Sequence, residues 1–199
     1  MKLKVTHQER YSRLELLLRV IFGSIYIYLP HGFLLIFVSI WGFILKVIAF
    51  WAILFTGKYP KSLFEFQVGL LRWGLRLNAR MSNVSDGYPA FGIKGTDEHT
   101  SLEVEYPESV SRGMMLVRFF FGSIYVYIPH YFILFFRAIF VNILWFLAFW
   151  IVLFTGNFPE SFHNWIVGQM RWTTRIALYM SYMTEKYPAF TGDELSDEV

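Results

Sequence analysis

Phe22-Gly23-Ser24-Ile25-Tyr26-Ile27-Tyr28-Leu29-Pro30-His31 is the stretch on which the fold turns, because a proline and a histidine interrupt a long apolar run. It returns almost unchanged as Phe121-Gly122-Ser123-Ile124-Tyr125-Val126-Tyr127-Ile128-Pro129-His130. Sliding the 199-residue chain against itself by 99 residues extends the match without a gap from residues 3–91 onto 102–190. It gives 41 identities in 89 positions, too many for anything but a duplication. The units divide as a first membrane repeat (1–91), an acidic linker (92–101), a second repeat (102–190) and an acidic tail (191–199), which is expected to be disordered.

Outward from Pro30 the chain is apolar on both sides. Residues 13–29 precede it, and residues 32–55 follow with Lys46 the sole charge. The second stretch, as a helix, measures about 36 Å, enough to cross a bilayer; the first measures about 25 Å, marginal for a crossing. Proline does not extend the preceding helix cleanly, so it permits a turn. The expectation is a transmembrane hairpin in each unit, against a competing arrangement in which the first stretch lies in the membrane plane. Charge favours the hairpin: Lys2, Lys4, Arg10 and Arg13 lie before it and Lys58 and Lys61 after it, while the turn has neither Lys nor Arg. Both ends and both termini are then cytoplasmic, and the units share one orientation about a pseudo-twofold axis.

Composition agrees with a membrane protein. Hydrophobic residues make up 55% and aromatics 21%, and the 22 Phe outnumber the 18 Lys plus Arg, more than a soluble interior of this size can hide. The absence of cysteine excludes disulfides and thiolate metal sites. Residues 1–10 carry no apolar core with a cleavage site, so no removable signal peptide is expected.

Two further elements complete each unit. Leu3-Lys4-Val5-Thr6 and Leu102-Glu103-Val104-Glu105 alternate with period two and suggest strands, with Lys2 and Lys4 facing Glu103 and Glu105. After Thr56-Gly57, a helix end with glycine free to take positive φ, Pro60 and a capping box at Ser62–Glu65 open a helix over 62–82. Phe66, Leu70, Trp73 and Leu77 share one face; Arg72, Arg76 and Arg80 form a separate stripe, repeated as Arg171 and Arg175. This pattern predicts a helix in the cytoplasmic bilayer surface with its cations on anionic lipid head groups. The fold class expected is all-α integral membrane, with short strands at the start of each unit.

The assembled motifs resemble a bacterial membrane family catalogued as domain of unknown function 4389. Unit two carries its pattern as Val104-Glu105-Tyr106-Pro107-Glu108, Ser111-Arg112, Ile128-Pro129-His130, Leu153-Phe154-Thr155-Gly156, Arg171-Trp172 and Tyr187-Pro188-Ala189-Phe190. Departures are Thr6-His7-Gln8 where Tyr-Pro is usual, and Ala90 and Ala189 where proline is common. The resemblance implies a bacterial membrane protein and brings neither an activity nor catalytic residues; the location expected is the inner membrane.

Several polar residues stand out within the apolar stretches. His31 and His130, at the outer turns, are candidates for metal binding or pH sensing; capping the hairpin is the plainer role, since two histidines without carboxylates make a poor metal site. Arg19 and Arg118 occupy matching positions where a charge costs at least ~2.5–3.5 kcal/mol to insert; snorkelling, or a pair with Glu15, is the structural explanation. Lys46 and Arg137 are charged where the other copy has Trp145 and Val38, and Asn142 is polar in the same stretch. No catalytic constellation, cofactor site, metal site or nucleic-acid surface is read from the chain. The function expected is that of a non-enzymatic accessory or scaffold subunit, whose partners are lipids and other subunits or a second copy. The alternative is a small transporter, channel or lipid-handling protein with its path along the axis, lined by His31, His130, Lys46 and Arg137.

Overall fold

The computed structural model of the chain describes residues 1–196. In chain order the elements are β1 (Lys2–Val5), α1 (Arg13–Gly23), α2 (Leu29–Thr56), α3 (Lys61–Met81), β2 (Thr100–Glu103), α4 (Arg112–Gly122), α5 (Ile128–Thr155) and α6 (Glu160–Met180).

The hairpin does not form. A π-helical turn, Ser24–Tyr28, joins α1 to α2, and Ser123–Tyr127 joins α4 to α5, so each unit has one helical run, Arg13–Thr56 and Arg112–Thr155, long and apolar enough to cross a membrane. The physical reason lies in the carbonyl that proline disables. Within an α-helix the Pro30 ring would crowd Tyr26 O and leave it without its donor. The π turn inserts an extra residue's worth of slack just ahead of the proline. Tyr88 Oη then donates to Tyr26 O at 3.0 Å, and Tyr187 Oη to Tyr125 O at 2.8 Å. Both helices end as the sequence predicts, on Gly57 (φ 72°) and Gly156 (φ 77°). α3 starts one residue earlier than expected, with Pro60 as N-cap and no side-chain capping bond.

The two strands pair antiparallel. Leu3 faces Leu102, Lys2 faces Glu103, and Lys4 faces Ser101 rather than Glu105. Leu3 and Leu102 are repeat-equivalent, and so are the pairs on either side, so a pseudo-twofold axis passes through this pair. The same symmetry exchanges helix ends between units. Tyr11 N donates to Gly156 O at 2.9 Å and Arg13 Nη2 to Phe154 O at 3.1 Å; Val110 N donates to Gly57 O at 2.8 Å and Arg112 Nη2 to Phe55 O at 3.0 Å. Each core is therefore shared: Leu3, Leu16 and Leu75 pack with Ala148, Val152 and Ile166, while Ala49, Ile53 and Phe64 pack with Met115, Leu178 and Met183.

The result is layered by polarity. α3 folds back along its own long helix: Met81 lies against Gly23, Trp73 against His31, Gln67 Nε2 against Gly42 O at 2.6 Å, and Phe64 against Ala49 and Ile53. α6 repeats this against the second long helix. Over α3 and α6 lie the linker, the strands and residues 191–194, held by buried arginines. The tail, expected to be disordered, is thus packed over this part at residues 191–194, and residues 197–199 lie outside the described residues. On the other side, α1, α2, α4 and α5 leave most of their Phe, Ile, Leu and Trp side chains exposed.

Candidate functional site

The residues most faithfully repeated come together as one ring box in each unit. His31 is fully buried, stacked on Phe91 (centroids 3.8 Å apart, planes 6° apart) and flanked by Tyr88. Trp73 Nε1 donates to His31 Nδ1 at 2.8 Å. His130 repeats every contact: Phe190 at 3.9 Å and 3°, Tyr187 beside it, and Trp172 Nε1 donating at 2.8 Å. Indole N–H can only donate, so Nδ1 of each histidine carries no proton and the ring is the neutral Nε2–H tautomer. That Nε2 has no hydrogen-bond partner among the described residues in either unit. The tyrosine of the same box supports the carbonyl left by the proline. Pro-His, Arg-Trp and Tyr-Pro-Ala-Phe are thus parts of one object that locks α2 to α3, rather than a turn with a cap. Neither Tyr88 nor Phe91 stood out in the sequence as a site residue; their invariance between the two units was the signal.

The arginine stripe faces away from the apolar helices. Arg76 and Arg80 are buried, as are Arg171 and Arg175, while Arg72 is exposed. Arg76 donates to Ala90 O at 3.2 Å and Gly92 O at 2.5 Å; Arg80 donates to Gly87 O at 3.1 Å and pairs with Asp97 at 2.8 Å; Arg72 donates to Leu102 O at 2.8 Å. In the second unit Arg171 reaches Gly192 O at 2.7 Å and Glu194 at 2.8 Å, and Arg175 reaches Thr191 O at 2.7 Å and Asp193 O at 2.5 Å. Where lipid phosphates were expected, the guanidiniums find backbone carbonyls of the chain's own linker and tail. A buried guanidinium with several acceptors is a clamp, because its planar fork fixes the direction of each bond.

Arg19 and Arg118 are equivalent in position and different in company. Arg19 binds Glu15 at 3.1 Å, Asp86 at 2.6 Å and Asn83 at 2.9 Å. Arg118, 1% exposed, lies over the Tyr179 ring at 3.9 Å and, among the described residues, donates to the carbonyls of Tyr179 (3.2 Å) and Thr184 (2.7 Å). Met114 stands where the first unit has Glu15. Arg137 is half-buried, stacked on Trp165 at 4.4 Å and bonded to Trp165 O at 3.1 Å. Room for it comes from Gly192, which replaces the Ile93 that packs on Gly69 in the first unit. Asn142 satisfies itself on Ala138 O at 2.8 Å, and Lys46 is partly buried on α2. Each histidine is closed in by rings of its own unit, and the apolar clusters of both units meet at Met1, Leu71 and Val104.

A contact between two further histidines was not read from the sequence. His7 and His163 meet edge to face at 5.1 Å, and His7 Nε2 bonds Phe158 O at 2.7 Å. Their counterparts in the other unit are Tyr106 and Phe64, edge to face at 5.2 Å, with Tyr106 Oη bonding Tyr59 O. Burial pushes the His163 imidazole down to about 4, with His7 adding to the effect.

Fold and site together define a tandem-duplicated, pseudo-twofold helical protein with two long apolar surface helices and a polar layer clamped by arginines. The chain belongs to the family described as domain of unknown function (DUF4389), whose model matches residues 13–92 and 116–192. No curated protein and no solved structure is detectably similar to it.

Proposed function

We propose that this protein is a non-enzymatic integral protein of the bacterial inner membrane, serving as an accessory or scaffold subunit of a larger membrane complex. One observation carries the reading. Exposed large apolar side chains crowd α1, α2, α4 and α5, from Leu14 to Phe55 and from Met114 to Phe154, whereas Trp165 is the only one on α3 and α6. Such a surface far exceeds what a soluble monomer leaves in water. The non-enzymatic part rests on where the polar side chains go: the buried arginines, Tyr88 and Tyr187 spend their hydrogen bonds on the chain's own backbone and acidic groups. A layer so committed is suited to presenting a fixed shape to a neighbour. Its side is assigned to the cytoplasm, with both ends of the chain, because Arg10, Arg13, Lys58 and Lys61 flank the apolar run, within which Arg19 and Lys46 are the only Lys or Arg residues. Mild-detergent capture of the tagged protein from its native membrane should bring down other membrane proteins in fixed stoichiometry. Recovery as a solitary monomer would argue against a subunit.

A further inference from the structure

We infer that the long helices do not cross the bilayer but lie flat within one leaflet, so that the partner of the apolar face is a single lipid monolayer. This rests on the membrane reading above and specifies how the contact is made.

The argument starts from α3. It packs along the long helix from Gly23 through His31 and Gly42 to Ile53, so it shares the direction of the run that would cross. Its outward positions are Lys61, Ser62, Glu65, Arg72 and Asn78, all exposed, and none of its large apolar residues is. Against it lie the buried Arg80–Asp97 pair and the linker with Lys94. Were the long helix to stand across the hydrocarbon, α3 and this linker would stand across it too, with charges placed where each costs several kcal/mol. Laid flat, the same helix puts every exposed apolar residue in the acyl region and all of α3 toward water.

Three further features agree. The helical run Arg13–Thr56, at 44 residues, follows about 66 Å of helix, roughly twice the ~30 Å that a crossing needs. Exposed Tyr and Trp are spread along the run at Tyr26, Tyr28, Trp41 and Trp51, whereas a crossing helix gathers them at its two ends. The second unit repeats the layering through the pseudo-twofold axis, so both long helices offer their apolar sides away from a common polar layer.

The chain has no cysteine, so single spin labels can be placed on it directly. Labels at Ile25, Phe33, Ile40, Val47 and Phe55 sample exposed positions along one run, and a label at Glu65 samples α3. The full chain would be reconstituted in vesicles of phosphatidylethanolamine and phosphatidylglycerol. Depth is then read from oxygen against a water-soluble nickel chelate. Flat helices give one shallow depth, within roughly 5–10 Å of the head-group boundary, at all five positions, with Glu65 open to the chelate. A depth that climbs to the bilayer centre near Ile40 and falls again towards Phe55, with Glu65 shielded, overturns the inference and leaves the membrane reading standing. Labels open to the chelate at all five positions overturn both.

Discussion

His163 occupies the position that Phe64 holds in the first unit, and the difference gives the fold a titratable weak point. The imidazole is 2% exposed and stays neutral down to about pH 4, against an ordinary value of 6.5. Between those values the unfolded chain takes up a proton that the folded chain refuses, so stability is intact above pH 6.5 and is lost as pH falls towards 4. A shift of this size corresponds to about 3 kcal/mol at most. His163→Phe substitutes the repeat's own residue and removes that loss. Thermal unfolding in detergent at pH 7 and pH 4.5 should show a smaller drop for the variant than for the parent; equal drops would mean that His163 is not the titrating group. Arg118 makes the same point about divergence between copies. It keeps its place although Met114 stands where the first unit has Glu15, and an aromatic face serves there in place of a carboxylate.

At the scale of the elements, much was legible and two inferences failed. The period of α3, the glycine ends of α2 and α5, and the pairing of two strands all follow from local rules, although β2 begins two residues before the expected Leu102 and α3 one residue before Ser62. Pro30 misled because its local effect, a lost donor and a crowded carbonyl, is repaired from afar: Tyr88 lies 62 residues from the Tyr26 carbonyl that it bonds. The arginine stripe misled for a related reason. Periodicity tells which side of a helix differs from the rest, and only the path of the linker tells what covers that side. The repair can be tested by a double-mutant cycle. Tyr88→Phe leaves Tyr26 O unsupported and should cost about 1 kcal/mol. With Pro30→Ala already present, an N–H at position 30 can serve that carbonyl, and Tyr88→Phe should then cost little. Unfolding of the four proteins in one detergent gives the coupling. Strictly additive losses would show that tyrosine and proline act independently.

For the whole molecule, the duplication has produced an internal heterodimer whose halves have become complementary. In the strand pair, Lys2 faces Glu103 and Lys4 faces Ser101. Two copies of the first unit, paired in the same register, would set Lys2 against Lys4 at both ends, an arrangement worth a few tenths to about 1 kcal/mol per pair in the wrong direction. The helix-end exchanges use equivalent groups in both units and hold the units together without choosing between them, whereas the two shared cores differ in their residues. Cutting the chain in the linker should therefore leave two pieces that seek each other. Residues 1–98 and 99–199, co-expressed with different tags, should copurify in equal amounts, and residues 1–98 alone should yield little self-paired material. Lys2→Glu in the first piece, which places like charges opposite Glu103, should lower the yield of the complex, and Glu103→Lys in the second piece should restore it. Pieces that pair with themselves as readily as with each other would mean that the strand charges and core differences do not select the partner, and that only the covalent linker sets which units pair.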